Sequence, residues 1–70
     1  MHFLDLRRIV SRGGGLDMSI QGYPAMHLQS LASCAANSGA KLTFRDVSGL
    51  SVSEMQDIAS LARGNVVFVL

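Results

Sequence analysis

The chain has 70 residues, six Lys or Arg against five Asp or Glu, and one cysteine. That length makes one domain (1–70), and one thiol excludes an internal disulfide. A net charge of +1 gives no strong pull toward nucleic acid, and no apolar run approaches the roughly 18 residues that a membrane helix needs.

A chain this short buries only about 60% of its unfolded surface, so it needs a staple. His2, His27 and Cys34 are too few and too scattered for a zinc site, so no metal and no cofactor are expected. Association with another subunit is the staple that remains. Residues 1–5 carry an early Asp5 and no basic region before a long apolar core, which predicts no signal peptide. With a lone thiol, this points to a reducing cytoplasm.

The first helix is predicted at about 2–11, with Phe3, Leu6, Ile9 and Val10 at helical spacing. Asp5 suits its start and Arg12 its end. Gly13-Gly14-Gly15 then stops it. The first strand, about 16–21, alternates Leu16, Met18 and Ile20 with Asp17, Ser19 and Gln21. Gly22-Tyr23-Pro24 is a turn, and Pro24 suits the first turn of a second helix. That helix, about 24–37, buries Leu28, Leu31, Ala32 and Ala35 and stops at Asn37-Ser38-Gly39. The second strand, about 41–46, turns Leu42 and Phe44 toward the helices and Lys41, Thr43 and Arg45 away. Val47 breaks the alternation, which predicts a kink near Asp46. Ser51-Val52-Ser53-Glu54 fits a capping box, with Leu50 as its staple, as Tyr23 is in the preceding unit. The third helix then buries Met55, Ile58, Ala59 and Ala62 and ends at Arg63-Gly64. The third strand is 65–70.

These elements are imperfect copies of one unit. Leu6-Arg7-Arg8-Ile9-Val10-Ser11, Leu28-Gln29-Ser30-Leu31-Ala32-Ser33 and Met55-Gln56-Asp57-Ile58-Ala59-Ser60 share one pattern. Each is followed by glycine and an alternating run. The units fall at about 1–24, 25–50 and 51–70. The fold class is therefore α/β, with order αβαβαβ. A helix between successive strands implies a small parallel three-stranded sheet. Like alternation in every strand puts the helices on one face. A parallel sheet with one polar face is what stacked helix–strand repeats make.

A short strand and a helix alternating at a period of 22 to 27 residues resemble leucine-rich-repeat architecture. Leu42-Thr43-Phe44 carries the L-x-L part of that family's strand pattern. The resemblance is one of architecture. It implies a protein-binding sheet face and no cofactor.

Candidate chemistry is sparse. Gly13-Gly14-Gly15 stands between helix and strand, whereas a phosphate loop runs from strand to helix. Cys34 lies mid-helix among alanines with no basic residue near in sequence, so it reads as a packed thiol. His27 reads as a half-exposed helical histidine with no nucleophile placed for it, and Glu54 as a cap. Asp17 and Asp46 are placed to pair with Lys41 or Arg45 across the sheet. No catalytic residue is assigned, and the chain is not expected to be an enzyme.

Three surfaces remain. Val67 and Val69 take the outward positions where other strands carry Asp17, Ser19, Lys41, Thr43 and Arg45. With the chain stopping at Leu70 and no capping element after it, Val67, Val69 and Leu70 predict a homodimer through the third strand. Lys41, Thr43, Arg45 and Asp17 form a polar sheet face for an unidentified protein partner. Arg7, Arg8 and Arg12, with the free N-terminus nearby, offer the alternative of a small nucleic-acid-binding regulator, though no aromatic platform accompanies them. The leading expectation is a non-catalytic protein–protein interaction module. In size and plainness it is similar to inhibitors carried by phages and mobile elements, such as anti-CRISPR proteins.

Overall fold

The computed structural model describes residues 2–70. Met1, with the amino group counted above beside the arginines and its place in the signal-peptide argument, lies outside them. The order is α1 (Phe3–Ser11), β1 (Leu16–Ser19), α2 (Ala25–Ser38), β2 (Leu42–Arg45), α3 (Val52–Ala62) and β3 (Val66–Phe68). A single 3-10 turn, Val47–Gly49, joins β2 to α3. The strands are parallel and ordered β1-β2-β3. This is the αβαβαβ arrangement that the repeated pattern predicts.

The central unit is the best buried. Leu28, Leu31, Ala32 and Ala35 of α2 are fully enclosed, as are Leu42 and Phe44 of β2. The reason is position: α2 packs against both α1 and α3, and β2 pairs on both sides. Leu6 and Val10, one turn apart, anchor α1, and Ile58 and Ala62 anchor α3. Met55 and Ala59 share the predicted stripe of α3 but stay half-buried, because no helix lies beyond α3 among the described residues. Ile9 departs from its predicted place and is exposed. A helix that meets one neighbour buries a narrow stripe, and Leu6 with Val10 fills it. The Ile9 side chain instead lies over Gly14, where an added Cβ would sit 2.7 Å from its Cγ2.

Several boundaries differ from the sequence reading. His2 and Pro24 are N-caps, outside the helices they precede. β1 ends at Ser19 and β3 covers three residues. Ile20 nonetheless stays buried, and its N–H donates to the Arg45 carbonyl. Asp46 takes a left-handed conformation, φ 60°. That is the predicted kink, and it folds Val47 back into the core. The capping box is present: Glu54 N–H donates to Ser51 Oγ, and Ser51 N–H donates to Glu54 Oε1.

Two side chains tie one unit to the next. Ser38 Oγ donates to the Val10 carbonyl at the end of α1. Asn65 Nδ2 donates to the Ala35 carbonyl in the last turn of α2. Both acceptors lie at helix ends and already receive a backbone N–H, from Gly13 and Gly39 respectively, so each side chain adds a second hydrogen bond to its carbonyl. Gly15 marks a third close join, since a Cβ there would lie 2.9 Å from the Lys41 carbonyl oxygen.

Candidate protein-binding surface

The sheet's outer face is graded from charge to hydrocarbon. Register places Asp17 beside Thr43, and Thr43 beside Val67. At the β1 end, Arg45 grips Asp17 with two hydrogen bonds, Nε to Oδ1 at 2.6 Å and Nη2 to Oδ2 at 2.9 Å. This is one of the cross-sheet pairs that the alternation predicts; Asp46 and Lys41 are not part of it. The hydrogen bond from Arg45 holds the Asp17 carboxyl below its ordinary value. Asp17 in turn raises Arg45. Lys41 is exposed and Thr43 half-buried on the same face.

At the β3 end the same face is apolar. Val67 is 55% exposed, Val69 37% and Leu70 97%. Val69 and Leu70 lie outside β3 as a strand, yet Val69 N–H still donates to the Phe44 carbonyl, so the extended path continues past Phe68. On the inner face, Val66 and Phe68 stand beside Leu42 and Phe44. Their partners are fully enclosed, whereas they are half-buried. Phe68 keeps a tilted contact with Phe44, ring centroids 6.2 Å apart.

The outer flank of α3 extends this surface. Val52, Met55, Gln56 and Ala59 line a shallow groove with Phe68 and Leu70. None of the six is charged, and Val52 is 68% exposed. Sequence reasoning placed only Val67, Val69 and Leu70 here. The signal for the helix was available: positions 52, 55, 56 and 59 follow the i, i+3, i+4, i+7 spacing of a helix face. It overlaps the core stripe at Met55 and Ala59, which hid it.

The remaining candidates lie at the other end. Arg7, Arg8 and Arg12 are exposed on α1. Arg7 Nε donates to Cys34 Sγ at 3.4 Å, a cation that α1–α2 packing supplies although none is near in sequence. Cys34 is half-buried. His27 stacks on Phe3, centroids 4.2 Å apart and planes 14° from parallel. Among the described residues, no three His, Cys, Asp or Glu side chains gather in a metal-binding group. No described helix is long and apolar enough to cross a membrane.

Comparison with protein-family models, with curated proteins and with solved structures returns no match.

Proposed function

We propose that the chain is a non-catalytic protein-interaction module that pairs with a second copy through the β3 end. The observation that carries this reading is the row Asp17, Thr43, Val67. At the outward position where one edge has a paired carboxylate, the other has an open valine. Edge strands in stable monomers are blunted by shortness, charge, proline or cover; β3 is short at three residues, but its extended path runs on to Val69 and carries neither charge nor proline. Its outer face, its inner face and the flank of α3 beside it are all apolar. Contiguous apolar surface of this kind marks an interaction site, and burying it would stabilise a chain too small to hold a large core.

The polar face around Asp17, Lys41, Thr43 and Arg45 is the second surface, for a further protein. An open face on a parallel sheet is the feature that supports the leucine-rich-repeat likeness. The inhibitor reading rests on size and the lack of a catalytic constellation. The arginines of α1 give the nucleic-acid alternative less, because Arg7 is engaged with Cys34.

The test is a pair of substitutions at exposed positions. Val67→Asp with Val69→Asp puts two carboxylates on the strand, so that like charges would meet across the paired strands, without touching the core. Size-exclusion chromatography is expected to show the wild type at twice the mass of the variant, and the variant is expected to melt lower. Two identical elution volumes would reject the reading.

A further inference from the structure

The free edge of β3 has a defined set of unpaired groups. Leu42 N–H donates to the Asn65 carbonyl, and Val69 N–H to the Phe44 carbonyl. In a parallel ladder, alternate residues turn their backbone groups to the same neighbour. Residues 65, 67 and 69 therefore face β2, and Val66 and Phe68 present their N–H and C=O groups outward.

We propose that two copies join β3 to β3 in antiparallel register about a two-fold axis at Phe68, making one six-stranded sheet, with α3 packed on its mate. This rests on the self-association proposed above and fixes its register and second layer.

The hydrophobic pattern selects the register. With the axis at Phe68, Val67 falls opposite the partner's Val69, and Val66 opposite the partner's Leu70. Phe68 meets its own copy. Every pair is apolar. With the axis at Val67, Asn65 would face Val69 and Gly64 would face Leu70. The first arrangement also gathers four valines on the outer face, at non-hydrogen-bonded positions where side chains approach most closely.

The other edge of the sheet explains why the occupant is β3 and not β1. Joining β3 to β1 of another copy would set Asp17 and Ser19 beside the valines. Such a head-to-tail contact also leaves an open series rather than a closed pair. Asp17 is already held by Arg45, so the β1 edge is charged and blunted.

The helices agree with the sheet. All three lie on one face, so joining β3 edges brings α3 next to its copy. The flank that would meet is Val52, Met55, Gln56 and Ala59, which carries no charge to desolvate. Ala59 is small enough for close approach, and Gln56 is a neutral side chain able to pair with its own copy.

Disulfide trapping tests the register. In a Cys34→Ser background, Val67→Cys and Val69→Cys are made separately, then oxidised alone and mixed. Non-hydrogen-bonded partners lie about 4.5 Å apart at Cα, within disulfide reach. The mixture is expected to form a covalent dimer, and each variant alone at least tenfold less. Cross-linking of Val67→Cys alone as fully as the mixture would place the axis at Val67 and overturn the proposal. A dimer by light scattering with no cross-link in any sample would overturn the strand pairing while leaving self-association standing. A monomer would overturn both. For the helix layer, Gln56→Glu is expected to weaken the dimer about tenfold or more at low salt, by like-charge contact. An unchanged dissociation constant would remove α3 from the interface.

Discussion

The Asp17–Arg45 pair on the outer face of the sheet is bidentate, and it is exposed at both ends. Exposed pairs contribute little to stability, because solvent screens them. Its value is positional, since it closes β1 onto β2 and keeps charge at that edge. The carboxyl of Asp17 is lowered from 3.8, first by the hydrogen bond from Arg45 and then by its charge. A group whose folded value lies below its unfolded one stabilises the fold above the ordinary carboxylate value. That contribution disappears as pH falls through the folded value. Carboxyl NMR titration is expected to give Asp17 a midpoint below 3.8, and Arg45→Ala is expected to raise it. A midpoint unmoved by that substitution would contradict the bidentate contact. The contacts of Cys34 with Arg7 and of His27 with Phe3 show what a sequence hides at this scale. Each joins α1 to α2, so neither partner can be found by looking along one helix.

At the scale of elements, α2 and β2 set the core. Leu31 is fully enclosed between helices and sheet with Phe44 and Ile58. Leu31→Ala is expected to cost about 2–5 kcal/mol, a large share of the stability of so small a domain. A thermal melt left unchanged would reject the packing described. These burials were legible because each rests on a period: 3.6 along α2 and α3, two along β2. The α3 start was legible because Ser51 and Glu54 have the spacing that lets each cap the other. Strand lengths were overread. Alternation at Gln21 and Asp46 continues after ladder pairing has ended, and only neighbours decide where that is. Ile9 fits the periodic pattern of α1 but lacks a second neighbouring helix to bury it. Ser38 and Asn65 were missed as unit-to-unit links because a carbonyl at a helix end leaves no mark in the sequence.

At the scale of the whole molecule, the two ends of the sheet differ. The α1–β1 end is charged, with Arg8, Arg12 and the Asp17–Arg45 pair. The α3–β3 end is apolar over strand and helix alike. With a net charge of +1 and Arg7 turned to Cys34, the α1 end is expected to give no gel shift with nucleic acid near physiological salt. A clear complex that weakens as salt rises would overturn the ranking of the two functions. Self-association belongs to the other end, where the row from Asp17 to Val67 runs out into open hydrocarbon. Light scattering on the purified 70-residue chain at tens of micromolar addresses it most directly. A particle of twice the chain mass that falls to the monomer on dilution is expected. A clean monomer across that range would contradict it.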